Sequence, residues 1–311
     1  VEPPVEPLVV IAGPTASGKS ALAVRWALAL DAEIVNADSQ QVYRHFDLGT
    51  AKPDDAALAA VPHHLVSFVD PHDTYSAARF QADADRAIAE IRSRGRRVIV
   101  VGGTGLYLRV LLRGVMAGPS ANPEFRAQLE ARAAAEGREA LHGELSRIDP
   151  VAAALIKPAD LVRIIRALEI HAATGRPASA LREAHGFSQA RYAHGLWVLS
   201  PDRAVLYDAI NARTSALYAA GLVEETRRLL EAGYREAAPM RSVGYAEALR
   251  VIDGGLSESE AVSLTAQSTR KYAKRQFTWF KKEPGARCVA PPYDALMPEI
   301  SGGTETGAGT K

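Results

Sequence analysis

Six short apolar runs punctuate the chain. Residues 8–12 (LVVIA) are continuously apolar, as in a strand covered on both faces. Residues 33–36, 64–69, 97–101, 196–200 and 288–289 read as further strands. Between them, apolar positions recur at helical spacing. Residues 20–30 are strong helix formers. Over 76–93, Ala77, Phe80, Ala84, Ile88 and Ile91 fall on one face, and Gly95 closes the helix. A shorter apolar helix ends at Leu112. Strand alternating with helix predicts an α/β fold with a parallel sheet.

The pattern changes at Met116. Asn122-Pro123-Glu124 is a helix start, with a cap, a proline at the first position and an acid in the first turn. From there to about residue 195 every periodic stretch is helical. Asp160 caps a helix that buries Leu161, Ile164, Ile165 and Leu168 and ends at Gly175 and Pro177. The strand at 196–200 then resumes the sheet. The expected organisation is a core of 1–118 and 196–291, a helical insertion over 119–195, and a disordered tail over 292–311, Gly/Thr-rich from Ser301 on. Helices are expected over 202–220, 222–232, from 240–245 onward, and over 258–281.

Chemistry gathers where strands end. Gly13-Pro14-Thr15-Ala16-Ser17-Gly18-Lys19-Ser20 is G-x-x-x-x-G-K-S between the first strand and the first helix. Such a P-loop wraps backbone N–H groups around phosphate oxygens at a helix N-terminus. Lys19 adds a full charge, and the Ser20 hydroxyl can sit on Mg2+. Asp38 follows the second strand, and a second glycine loop, 102–107, follows the strand at 97–101. In a parallel sheet these carboxyl ends face one crevice. Asp70 is the one acid placed after a strand to serve as a further metal-side group. There is no N-K-x-D guanine-reading motif, which argues against a GTPase.

Composition narrows the class further. Net charge is +1, so any nucleic-acid site must be a local cluster. One exists: Arg270, Lys271, Lys274, Arg275, Lys281 and Lys282, with no acid between Ser268 and Lys282, and with Tyr272, Phe277, Trp279 and Phe280 interleaved. Those aromatics are expected to pack into the core. Arg163 and Arg166, three apart on one helix, read equally well as a solvated pair. The single cysteine, Cys288, rules out an intrachain disulfide and fits a reducing cytoplasm. No run of 18 apolar residues predicts a membrane span, and the proline-rich, acidic first residues are unlike a signal peptide.

Nine motifs in order resemble the tRNA dimethylallyltransferases, also called tRNA isopentenyltransferases. They are GPTASGKS at 13–20, ADSQQVYR at 37–44, DLGTAKP at 47–53, HHLV at 63–66, YSAARFQADA at 75–84, VGGTGLY at 101–107, RIIRALEI at 163–170, RSVGY at 241–245 and KRQFTWF at 274–280. The match covers about 8–282. Gln41 stands where the pattern often has an apolar residue, and Val162 replaces a commoner polar one before Arg163.

The resemblance implies transfer of a dimethylallyl group from dimethylallyl diphosphate to N6 of the adenine just 3′ of the tRNA anticodon. The P-loop then holds an isoprenoid diphosphate rather than ATP. Asp38 is the implied base, with Thr15 and Arg213 acting at the diphosphate; on sequence alone Arg213 reads as a helix-surface arginine. Gly13, Thr15, Ala16, Ser17, Gly18, Lys19 and Ser20 bind diphosphate, and Mg2+ sits at Ser20. The implied tRNA contacts are Asp38, Ser39, Gln40, Gln41, Thr104, Arg126, Arg163, Arg166, Arg241, Gly244, Tyr245, Lys274, Arg275, Gln276 and Lys281. The partners are the anticodon stem-loop and dimethylallyl diphosphate, with no membrane, and the expected state is a monomer. The competing readings are an ATP-dependent P-loop kinase, which needs a second metal-binding acid and an adenine pocket, and a non-catalytic RNA-binding protein.

Overall fold

The computed structural model describes residues 6–116, 118–187 and 189–297. The first half runs β1 (Leu8–Ala12), α1 (Lys19–Leu30), β2 (Ala32–Asn36), α2 (Asp55–Ala60), β3 (His63–His64), α3 (Ala77–Ser93), β4 (Arg97–Gly102) and α4 (Gly105–Arg113). Five helices follow: α5 (Pro123–Glu136), α6 (Arg138–Ile148), α7 (Pro150–Leu155), α8 (Leu161–Thr174) and α9 (Ala178–His185). Then come β5 (His194–Leu199), α10 (Arg203–Ala219), α11 (Leu222–Glu231), α12 (Tyr245–Ile252), α13 (Glu258–Phe280) and β6 (Ala286–Val289).

All strand pairs are parallel, in the order β3-β2-β4-β1-β5-β6. Side-chain alternation divides the apolar strands cleanly between two faces. Leu8, Val10, Val98, Val100, Leu196 and Val198 pack with Phe80, Ile88 and Ile91 of α3. Val9, Ile11, Ile99, Val101, Trp197 and Leu199 pack with Leu22, Trp26 and Leu30 of α1. The continuous apolar runs thus reflect a sheet covered on both sides.

Two compact units emerge, one of 1–112 with 191–311 and one of 113–190. The helical unit's bounds differ from the expected 119–195. Arg191 already donates to Leu112 O, and His194 and Gly195 pair with Leu8 and Val9 in the sheet. The helical unit has its own core, which includes Leu129, Leu141, Leu145, Ile164, Ile165 and Leu168.

Three element expectations are corrected. The strand expected over 64–69 shrinks to His63–His64, followed by turns with positive φ at Leu65 and Ser67; Val69 keeps one bridge to Tyr43. Met240 belongs to a 3-10 turn (Ala238–Arg241), and α12 starts only at Tyr245, after Gly244 at φ 100°. Of the expected tail, Tyr293–Leu296 forms a 3-10 turn, and Tyr293, Leu296 and Met297 pack partly against the α1 face. Residues 298–311 lie outside the described residues.

Candidate active site

The loops after β1 and β2 and the carboxyl end of β4 converge on a cavity of about 350 Å3, joined by one face each of α10 and α13. Thr15, Ala16, Lys19 and Ser20 line it from the P-loop, and Asp38, Ser39, Gln40 and Gln41 from the loop after β2. Helix α10 presents Ile210, Arg213, Thr214 and Leu217, spaced i, i+3, i+4 and i+7. Helix α13 presents Thr265, Thr269, Tyr272 and Gln276 at the same kind of spacing. Sequence reading missed Ile210, Thr214, Leu217 and Tyr272 as site residues. Their signal was this helical register relative to Arg213 and Gln276.

Charge is arranged asymmetrically. Lys19 Nζ donates to Pro14 O at 3.3 Å, and Arg213 Nη1 to Thr15 Oγ1 at 3.3 Å. Burial lowers the Lys19 pKa to about 8; the Asp38 charge opposes that shift and Arg213 adds to it. Burial also lowers the Arg213 pKa, again against Asp38. Asp38 is held through one oxygen: Oδ1 accepts from Gln40 N at 2.8 Å and more weakly from Gln41 N at 3.4 Å. Thr104 Oγ1 accepts from Ser39 N at 3.0 Å, tying the second glycine loop to the same turn.

A further layer fixes that turn. Gln41 is buried, and its Nε2 donates to Thr50 O and Ala51 O at 3.1 and 2.8 Å, which is why a polar residue fits there. The 47–51 loop hangs in turn on Glu225, whose carboxylate accepts from Asp47 N, Leu48 N and the Tyr245 hydroxyl. A side chain on Gly49 would collide with the Tyr245 ring at 2.4 Å. Tyr245 is fully buried and anchors a loop, so its expected exposure to tRNA is not what the structure presents. Gln276 is likewise buried, with both amide atoms bonded internally.

Arg241 lines the cavity mouth and is exposed, with Glu236 at 3.3 Å. Lys274, Arg275 and Lys281 are exposed; Arg275 lines the cavity and lies over the Tyr272 ring at 5.6 Å. Phe280 is core, while Phe277 and Trp279 are partly buried against the core. Tyr272 departs from the expectation for the aromatics: it faces the cavity, where burial and Asp38 raise its phenol pKa. In the helical unit, Arg163 is exposed with Asp160 at 3.4 Å. Arg126 and Arg166 both bond the buried Glu169, at 2.7 and 2.5 Å to Oε2. Burial works against the charge on Glu169, but bonds from Arg126, Asn122 N and Arg166 outweigh it and hold the carboxyl at about 2.

Asp70 is exposed, caps its own turn through His72 N, and is not among the cavity residues. No cluster of three acidic, histidine or cysteine side chains occurs among the described residues. The exposed Ser20 hydroxyl beside Lys19 suits a Mg2+ ion held chiefly by ligand phosphates and water. The described residues also contain no helix long and apolar enough to cross a membrane.

A glycine loop at a helix N-terminus, with two cations and a carboxylate beside it at the carboxyl ends of a parallel sheet, defines an α/β protein of the P-loop type. The IPP transferase family model matches residues 41–283, and the chain belongs to that family. It is 63% identical to the tRNA dimethylallyltransferase of Myxococcus xanthus, over 94% of each chain. It is 54% identical to that of Anaeromyxobacter dehalogenans, over 92% of this chain and 96% of the relative. Among solved structures, the full-length tRNA isopentenylpyrophosphate transferase of Bacillus halodurans superposes with TM-score 0.69 at 37% identity, covering 96% of this chain and 95% of that one. A eukaryotic dimethylallyltransferase solved acting on tRNA gives TM-score 0.79 at 25% identity, over 96% of this chain and 77% of that one.

Proposed function

We propose that this enzyme transfers the dimethylallyl group of dimethylallyl diphosphate to N6 of the adenine just 3′ of the anticodon in tRNA. Support comes from the family and its named relatives, and above all from one cavity that holds Lys19, Arg213 and Asp38 together. The allylic C–O bond breaks, the C–N6 bond forms, diphosphate leaves, and the amino proton passes to a base.

An adenine amino group is a weak nucleophile because its lone pair is delocalised into the ring. Asp38 meets the need for a base: Oδ1 is occupied by backbone amides, which leaves Oδ2 to take the proton. The P-loop amides, Lys19 and Arg213 stabilise the charge that grows on the departing diphosphate. Mg2+ at Ser20, when bound, neutralises further phosphate charge. Ile210, Leu217 and Ala16 supply apolar lining for a five-carbon chain. The target base must leave its stack to reach this cavity. Thr104 and the 38–41 turn meet it there, while Lys274, Arg275, Arg241 and the helical unit, with its exposed Arg163, grip the anticodon arm. The enzyme works as a monomer in the cytoplasm, where its tRNA is found.

The test is direct. Incubation with bulk tRNA and dimethylallyl diphosphate, then digestion and mass spectrometry, should reveal an adenosine heavier by one isoprene unit. Consumption of ATP with no such nucleoside would point to a kinase instead.

A further inference from the structure

Gln276 lies within the basic stretch of α13, between Arg275 and Phe277, yet it is only 6% exposed. Its Oε1 accepts from Thr15 N at 2.9 Å and its Nε2 donates to Gly103 O at 3.0 Å. A side chain at Gly103 would come within 2.4 Å of that Nε2, so the glycine is what admits the amide. We propose that Gln276 is a positioning residue for the reaction, a strut between the two glycine loops, and not a contact for RNA.

The consequences run to both sides of the cavity. With its amide N–H committed to Gln276, Thr15 offers its hydroxyl to the cleft, where Oγ1 accepts from Arg213 Nη1 at 3.3 Å. Gly103 immediately precedes Thr104, whose Oγ1 takes the Ser39 amide next to Asp38. One side chain therefore sets the diphosphate end through Thr15 and Arg213, and the base end through Thr104 and Ser39. The position demands one acceptor and one donor on a planar group. An amide has both; a protonated carboxyl has both; an ionised carboxylate keeps only the acceptor and sets an anion against the Gly103 carbonyl oxygen.

The proposal rests on reading the P-loop as a diphosphate site, so inorganic diphosphate is the probe, and tRNA affinity is measured separately with bulk tRNA. Gln276→Leu should bind diphosphate roughly tenfold to a hundredfold more weakly and lower kcat, with tRNA affinity within about twofold of wild type. Gln276→Glu should show the same defect at about pH 8 and recover toward wild type at about pH 5.5, as the buried carboxyl takes a proton. Each is read as a ratio to wild type at the same pH, with thermal unfolding as a check on folding. Equal losses of tRNA and diphosphate affinity, or a Gln276→Glu ratio flat with pH, would overturn the strut. Wild type that binds diphosphate but forms no prenylated nucleoside would break the functional reading alone, because the strut is still decided by the diphosphate data.

Discussion

In the cleft, Lys19 and Arg213 make no ion pair among the described residues; their bonds go to a carbonyl and a hydroxyl. In the helical unit, Arg126 and Arg166 share Glu169, a carboxylate only 2% exposed. The cleft cations are partly desolvated without an ion pair, and burial drags both pKa values down against the pull of the Asp38 charge. The helical arginines are compensated, and their partner's pKa is depressed instead. An uncompensated buried charge costs stability, and a protein keeps one where a ligand of opposite charge arrives. A compensated cluster holds helices together. Basic side chains thus stand without an ion pair in the cleft of one unit and brace two helices in the other.

The largest expected effect is at Asp38, the one acid that lines the cleft among the described residues. Asp38→Asn should cut single-turnover rate by about 10²–10⁴ while both substrates still bind, since the amide keeps the size and the acceptor for Gln40 N. Near-normal rates would remove Asp38 as the base.

The scaffold side of the contrast predicts a stability effect. Glu169→Gln should destabilise the protein by about 1–3 kcal/mol by leaving Arg126 and Arg166 poorly matched. The sign with pH follows from the depressed carboxyl. Its contribution is complete above the ordinary value of 4.5 and is lost as pH falls toward about 2. Unfolding measured against pH should therefore show wild type losing more stability on acidification than the variant. Parallel curves would show that Glu169 is not the group that holds these helices.

The smallest effect belongs to the exposed cations of α13. Neutralising Lys274 and Arg275 together should weaken cognate and non-cognate tRNA alike and flatten the salt dependence by roughly 0.7–0.9 in log–log slope per lost phosphate contact. Saturated rate should hold. An unchanged slope with a collapsed rate would place them in the chemistry.

Much of this was legible in the residues. The alternating sheet faces follow from continuous apolar runs such as 8–12, and the P-loop and Asp38 sit where strand ends put them. What escaped was tertiary pairing. Nothing local in Gln276 or Tyr245 says that the one binds Thr15 N across 261 residues, or that the other meets Glu225. Both stand among polar, RNA-like neighbours, and only burial separates strut from contact. The bonds of Arg126 and Arg166 escaped for the same reason, because their partner Glu169 becomes evident only when α5 packs on α8. The strand at 64–69 failed because turn geometry at Leu65 and Ser67 overrode apolar propensity.

The central claim is that the cleft cations are kept for a diphosphate at some cost to the empty fold. Calorimetric titration of wild type, Lys19→Ala and Arg213→Ala with dimethylallyl diphosphate and Mg2+, paired with thermal unfolding of each protein without ligand, tests it most directly. The account predicts that each variant loses about 10²-fold or more in affinity while its unliganded melting temperature stays level or rises. A variant that melts well below wild type yet still binds the diphosphate normally would contradict it, and would make these cations structural.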